Sequence, residues 1–495
     1  MLSAGLLAPD IQWASLVPML ALLAGACILL LSTLFPSLPR WFSPSLTVAS
    51  AAVAGVAACV RWNELYWRKG TFLVGGSVVE DRFSVFATIV ISVAVVCAAL
   101  LMTVHHAEEN GDQLEQFALL LTSAIGAIVM VASNNLIVLF LGLEILSLSL
   151  YLLAASDRRR EQSQEAGLKY FVLGGFASAF LLYGIALVYG ATGAVSISGI
   201  SDRLTGEFTA GNNDALLLIG IGLLIVGLGF KVSAAPFQVW TPDVYEGAPT
   251  PVTSYMASAG KVAAFAAMLR LFMSGLMNRV DDWRPVVWVL AALTIFVGST
   301  MAVVQTNVKR MLAYSSISHA GFVLVGVEAA SHRGSDGLAT SMAYLAVYTM
   351  LVMGSFSVLV TVAGHGDSAT SLDAFRGLAK RRPLLALAFS ALLFAQAGVP
   401  FTSGFVAKFG VIKSAVEAES YAIAVVAMVG AVIGAFLYLR IMVSMWMEEP
   451  ADDTRVDIPR AAGVVLGASV AFTLVVGFFP DLLINASRLV RFVPL

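Results

Sequence analysis

Cysteine, histidine and charge are all scarce in this chain. Of its 495 residues three are cysteine, five are histidine and 12% are charged, against about 25% charged residues in a soluble globular domain. Cys27, Cys59 and Cys97 lie far apart, each in an apolar stretch, with no Cys-x-x-Cys or Cys/His spacing. That arrangement excludes iron–sulfur clusters, c-type haem and structural zinc from this chain, and the three read as small buried hydrophobes. The histidines (His105, His106, His319, His332, His365) form no metal-binding pattern. Neither a Walker A motif nor a glycine-rich fingerprint after a strand is present, so nucleotide chemistry is excluded as well. The formal net charge is −2 with no basic tail, which points away from nucleic acid. No Lys or Arg precedes Arg40, so the amino terminus lacks the positive region of a cleavable signal peptide. It reads as the start of a first membrane helix on the non-cytoplasmic side.

What the chain has instead is apolar length. Hydrophobic residues make up 59% of it, gathered in runs of about 20 residues, the length that spans a bilayer as a helix. Runs at 11–34, 44–60, 82–104, 117–133, 135–155, 168–190, 214–240, 251–273, 286–305, 310–328, 338–363, 383–413, 420–446 and 461–480 give 14 spans, or 13 if the fourth and fifth, parted only by residues 133–135, are one. Backbone polar groups in lipid must be satisfied within the segment, so the expected fold is an all-α polytopic bundle. Lys and Arg cluster at 157–160, 309–310 and 376–382. With 14 spans these fall on one side, the cytoplasm by the positive-inside rule, and both termini fall on the other. The 105–116 loop, without Lys or Arg, falls on the cytoplasmic side too.

Four ionisable residues sit well inside these runs: Glu144, Lys231, Lys261 and Lys408. A charge at the bilayer centre costs at least ~2.5–3.5 kcal/mol, and such residues usually mark a pathway or a site. The plainer readings are a lysine snorkelling to the interface and a structural ion pair. Glu144 and Lys261 are too far from the ends of their runs to snorkel, and apolar replacement of a buried pair is often neutral, so stability alone has little reason to place charges there. Pro236 beside Lys231 and Pro400 beside Lys408 each remove a backbone donor and break a helix. Broken helices at membrane depth are tolerated only against protein or a wet cavity. Two similarly interrupted spans, the seventh and twelfth, point to an internal repeat. Five helices per unit give an N-terminal segment 1–116, repeats at 117–273 and 286–446, and a C-terminal helix and tail 447–495. An odd number of helices makes the second repeat inverted. His319, nine residues beyond Lys309–Arg310, lies ~13–15 Å deep on a helix and suits a relay, or else packs as a hydrogen-bonded helix residue. Asp243, Glu246, Glu328 and Arg440 read as interfacial, the first two in a proline-rich loop, 241–252.

The stretches FKVSAAPFQVWTPDVYEGAPTPVTSYMASAGK, VKRMLAYSSISHAGF and AGVPFTSGFVAKFGVI closely resemble the N type of the antiporter-like subunits of bacterial proton-translocating NADH–quinone oxidoreductase, respiratory complex I. That family is shared with multisubunit cation/proton antiporters and membrane-bound hydrogenases. The likeness covers roughly residues 80–445. The histidine-containing loop typical of the antiporters and of the L and M types is absent. The resemblance implies 14 helices in two inverted five-helix repeats with helices 7 and 12 broken. It implies a proton relay of Glu144, its partner Lys231, then Lys261, His319 and Lys408. It also implies that flavin, iron–sulfur and quinone sites belong to partner subunits, with no cofactor or metal in this chain. The partners would be other membrane-arm subunits, especially antiporter-like and small membrane neighbours, in a bacterial inner membrane.

Overall fold

The computed structural model describes residues 12–35, 38–105, 114–205, 213–332, 334–450 and 456–493. Two strands, β1 (Thr71–Leu73) and β2 (Val78–Glu80), pair antiparallel with Thr71 opposite Glu80. The rest is helical: α1 (Trp13–Ser32), α2 (Phe42–Glu64), α3 (Arg82–His105), α4 (Leu114–Ala132), α5 (Leu136–Ala154), α6 (Glu161–Thr192), the short α7 (Ile197–Thr205), α8 (Asn213–Val232) and α9 (Trp240–Gly247). Next come α10 (Thr250–Tyr255) and α11 (Lys261–Arg270), joined by a π-helical turn, then α12 (Val280–Val303), α13 (Val308–Ala330), α14 (Gly337–Ala363) and α15 (Leu378–Arg381). α16 (Pro383–Ala397), α17 (Ser403–Glu417), α18 (Tyr421–Met447), α19 (Arg460–Phe478) and α20 (Asp481–Arg488) complete the chain.

Among the described residues 13 helical segments are long and apolar enough to cross a membrane. The broken pair α16 and α17 supplies one more, giving the 14 spans read from hydropathy. The fourth and fifth spans are separate, because Asn135 caps α5 with its side chain, accepting from Ile137 N at 2.8 Å. Residues 240–252 are not a loop. Pro242 and Pro251 occupy the first turns of α9 and α10, where a missing N–H costs nothing. Cys97 is buried, whereas Cys27 and Cys59 face outward, so only one of the three is the small core residue expected. Of the 105–116 loop, residues 106–113 lie outside the described residues, as do 1–11 and 494–495 at the termini.

Two turns repeat the same stitch. Asn135 bridges Ser196, with Leu136 N donating to Val195 O and Ile197 N to Asn134 O. Asn307 bridges Ser371, with Val308 N donating to Thr370 O and Leu372 N to Thr306 O. In both, an asparagine caps the helix that follows.

Two buried ion pairs tie distant spans. Arg270 at the end of α11 binds Asp81 through both oxygens at 2.9 Å, and donates to Val131 O at 3.0 Å. The bidentate fork satisfies guanidinium and carboxylate together, which burial requires. Asp367, in the connection after α14, is a wider hub. Its carboxylate meets Lys309 at 3.1 Å and Arg160 at 3.2 Å, and accepts from Thr250 Oγ1 and N at 2.7 and 2.9 Å. His105 Nδ1 lies 3.9 Å away. Members of the 157–160 and 309–310 clusters therefore meet on one face.

Burial would push the Asp367 carboxyl up, but the Lys309 charge, His105, the Thr250 hydrogen bond and Arg160 together hold it well below the usual carboxylate range. A depressed folded pKa gives stability that is complete above the unfolded value, ~3.9, and is lost as pH falls through the folded one. Asp367→Asn is accordingly expected to cost ~3–5 kcal/mol at neutral pH. Thermal unfolding of the detergent-solubilised protein should show that deficit closing below about pH 4.

Candidate functional site

The two interruptions position the site. In the first, α8 stops at Val232, Ser233 adopts φ +65°, and the Ala235–Pro236 bond is cis. In the second, α16 ends at Ala397, Gly398 takes φ +91° and Phe401 φ +67° around Pro400. A non-glycine residue in this region costs of order 1–3 kcal/mol and persists only where its surroundings enforce it. They do so here: Ala235 N donates to Thr294 Oγ1 at 2.9 Å, Thr241 Oγ1 to Ser233 Oγ at 2.8 Å, and Trp240 Nε1 to Phe230 O at 3.0 Å.

The cationic candidates are shut inside the protein: Lys231, Lys261, His319 and Lys408 are 6%, 2%, 3% and 7% exposed. None snorkels. Each has found oxygens or hydroxyls instead. Lys408 Nζ donates to Gln396 O at 2.7 Å and Ala397 O at 3.0 Å, so it caps the carbonyl end of α16, where a positive charge also complements the helix dipole. It lies 4.9 Å from the centre of the Phe322 ring, within cation–π range. Lys261 Nζ donates to Ser316 O at 2.7 Å, directly after the π-helical turn 256–260. Lys231 Nζ donates to Ser147 Oγ at 2.7 Å and Tyr170 OH at 3.1 Å.

The direct Glu144–Lys231 pair is absent among the described ion pairs, a correction to the expectation. Glu144 accepts instead from Ser178 and is half-buried on the flank of the single chain. Ser147, which holds Lys231, is the next turn of the same helix face. Ser147, Ser178 and Lys231 line one small cavity of about 10 Å³, close to the room one water needs. The two charges are therefore neighbours across serines rather than partners.

His319 stands at the centre of a chain of hydrogen bonds. Nδ1 meets Tyr344 OH at 2.7 Å and Nε2 meets Tyr438 OH at 3.1 Å. Tyr438 OH shares a hydrogen bond with Ser315 Oγ at 2.6 Å, and Ser315 Oγ donates to Gln396 Oε1 at 3.4 Å. Gln396 Nε2 reaches Ser355 at 2.6 Å, and the Gln396 carbonyl holds Lys408. The hydrogen bonds therefore run from His319 through Tyr438 and Ser315 to the Gln396 side chain, and Lys408 is held by the main chain of that same residue. Toward the first half, Tyr170 stacks on Trp240 at 4.5 Å, and Trp240 meets Tyr245 edge-on at 6.0 Å. The Tyr245 hydroxyl is directed at Ser316, yet Tyr245 OH and Ser316 Oγ are both buried without a partner in hydrogen-bonding geometry. Asp243 and Glu246 share one nitrogen of Arg310, at 2.7 and 2.9 Å. Pro236 follows the end of α8 at Val232, and Pro400 follows the end of α16 at Ala397.

Ser147, Tyr170, Ser178, Tyr344, Gln396 and Tyr438 were not singled out from sequence. Only Gln396, an amide alone in the apolar run ALLFAQAGVPF, carried a visible signal.

A multi-pass bundle with two interrupted spans and a buried string of lysines is an antiporter-like membrane protein. Residues 133–434 match the family described as "NADH:quinone oxidoreductase/Mrp antiporter, TM". The chain is 40% identical to NADH-quinone oxidoreductase subunit N 1 of Sorangium cellulosum, covering 94% of this chain and 95% of that one. It is 47% identical to subunit N 3 of Streptomyces griseus over 76% of this chain and 70% of the relative. Among solved structures, a chain of respiratory complex I from Thermus thermophilus with bound aureothin superposes with TM-score 0.81 at 31% identity, covering 96% of this chain and all of that one. A chain of the Mrp complex from Dietzia shares the fold, with TM-score 0.83 at 21% identity. By these measures the chain belongs to the NADH:quinone oxidoreductase/Mrp antiporter membrane family, in its NADH-quinone oxidoreductase subunit N branch.

Removing the Tyr438 hydroxyl should leave His319 Nε2 and Ser315 without their shared partner. Tyr438→Phe is expected to destabilise the protein by ~1–3 kcal/mol, the cost of orphaned buried polar groups, as read by thermal unfolding in detergent.

Proposed function

We propose that this chain is a proton-translocating membrane-arm subunit of an NADH–quinone oxidoreductase, moving protons along Glu144, Lys231, Lys261, His319 and Lys408 while quinone is reduced elsewhere in the complex. The observation that carries this reading is the hydrogen-bonded string from His319 through Tyr438 and Ser315 to the Gln396 side chain, with Lys408 seated on the main-chain carbonyl of the same residue, shut away from the surface in a bundle whose relatives bear that enzyme's name. The relay groups fit the task. Lysine and histidine each carry a proton, and hydroxyls and an amide bridge them. The unsatisfied Tyr245 and Ser316 hydroxyls lie where water would join the two halves.

In this reading the chain sits in a bacterial inner membrane against other antiporter-like and small membrane subunits. The half-buried Glu144–Ser178 flank is the surface on which a neighbour would act. A shift there alters the electrostatic support of Lys231 across the serine-lined cavity, and so the affinity of that lysine for its proton. Moving one charge against 100 mV costs ~2.3 kcal/mol, comparable with a change of under two pKa units at 1.36 kcal/mol each. Flavin, iron–sulfur clusters and quinone are held by partner subunits, so the chain serves as a non-redox part of a translocase. The repeated Asn–Ser stitches support two inverted five-helix repeats, 117–273 and 286–446, between an N-terminal segment 1–116 and a C-terminal helix and tail 447–495. The positive clusters that meet at Asp367 face the cytoplasm, and both termini lie opposite. A cation/proton antiporter or hydrogenase subunit is the alternative; the Mrp-complex likeness rests on fold alone at 21% identity.

The test is Lys261→Ala, with Lys231→Ala beside it, in the assembled complex reconstituted into liposomes. Protons moved per NADH oxidised should fall while uncoupled electron transfer continues. An unchanged ratio in both variants would sink the relay.

A further inference from the structure

Beyond Lys408 the relay as described has no outlet, and the structure holds an unassigned carboxylate in the direction a proton must leave. Glu328 lies near the far end of α13 from Lys309 and the Asp367 hub. From its position in the sequence it read as a residue at the membrane surface; it is only 2% exposed. Its Oε1 accepts from Ser420 at 2.7 Å and meets His332 Nε2 at 3.3 Å. Its other oxygen, Oε2, is buried with no partner. A carboxylate oxygen left bare in the interior is costly, and in a site of this polarity it is a place for water or for a proton.

A second orphan lies on the neighbouring helix, nearer Lys408. Ser341 Oγ, on α14, is fully buried and unpartnered. It faces Gly326: a methyl group there would stand 2.3 Å from Ser341 Oγ and 3.2 Å from Val411. Gly326 is two residues before Glu328 on α13. Val411 is three residues beyond Lys408 on α17, a rise of ~4.5 Å. Ser341 Oγ thus lies between α13, α14 and α17, within about a turn of Lys408, and Glu328 lies further out along α13, on the side that meets Ser420. Beside Glu328 stands His332, whose side chain is 26% exposed.

Resting on the relay reading above, we propose that Glu328 and His332 form the proton exit of this subunit. The Lys408 ammonium gives up a proton, which water carries outward along α13, past Ser341, to Glu328 Oε2, making it a carboxylic acid. Glu328 passes the proton to His332, and the imidazolium releases it to the aqueous side opposite Asp367. Lys408 is left as a neutral amine, Glu328 returns to carboxylate and His332 to neutral imidazole, so one proton crosses and nothing else changes. Histidine suits the last step because its ordinary pKa lies near neutrality, and its partial exposure puts it in reach of bulk water.

The experiment measures protons moved per NADH oxidised by the whole complex in liposomes, with Glu328→Gln, Glu328→Asp, His332→Gln and Lys408→Ala side by side. Glu328→Gln is expected to lower the ratio to the Lys408→Ala value, and Glu328→Asp, which keeps a carboxylate, to restore most of it. A wild-type ratio in Glu328→Gln with a lowered one in Lys408→Ala would overturn the exit and leave the relay standing. A wild-type ratio in both would overturn the relay and the exit with it. Should Glu328→Gln fail to assemble, His332→Gln, altered at a partly exposed side chain, decides: a lowered ratio supports the exit, and an unchanged one overturns it.

Discussion

An ammonium group away from water must be given oxygens, and most of this molecule can be understood from that demand. In hydrocarbon the backbone of an intact helix offers none, because every carbonyl is already engaged. The protein answers in three ways. It opens the helix, so that α16 ends with free carbonyls for Lys408. It brings in hydroxyls from other spans, as for Lys231 at Ser147 and Tyr170. Or it turns a lysine toward a carbonyl of a neighbouring helix, as for Lys261 at Ser316. The breaks, the serines within apolar spans and the buried tyrosines are all parts of one solution to the cost of desolvating charge.

The two interrupted spans are alike in outline and unlike in chemistry. Lys231 precedes its break and Lys408 follows its own, so only Lys408 caps the free end of the half-helix. The backbone of the first break is held by Thr294, Ser233 and Trp240, while Lys231 is held by the hydroxyls of Ser147 and Tyr170. At the far ends of the spans, Asp367 gathers Arg160, Lys309, Thr250 and His105, residues from four separate parts of the chain. The hub holds the two halves together on one face while the lysine sites lie deeper.

Spans, charges and breaks were legible in the sequence because each is a violation of local expectation: an apolar run too long for a soluble core, a lysine within it, a proline beside that. The groups that hold the charges were not. Ser147, Tyr170 and Tyr438 are neutral residues that a membrane helix tolerates without comment, and their roles depend on which way neighbouring helices are turned. The resemblance that made Lys231 the partner of Glu144 could not say that serines stand between them. Helix rotation sets Ser178 against Glu144 and Ser147 against Lys231, and no spacing within one helix reports the angle between two. The prolines at 242 and 251 misled for another reason: a first helical turn and a loop favour the same residue. Asp81 and Arg270, nearly two hundred residues apart, announce nothing until the fold brings them together.

The way Lys408 is seated has a mechanical consequence. An ammonium has three N–H donors, and two of them serve the carbonyls of Gln396 and Ala397. A neutral amine still has two. Loss of the proton therefore removes no hydrogen bond from the end of α16, and the freed lone pair can turn toward an incoming donor. The end of α16 can therefore keep its shape whether Lys408 is charged or neutral.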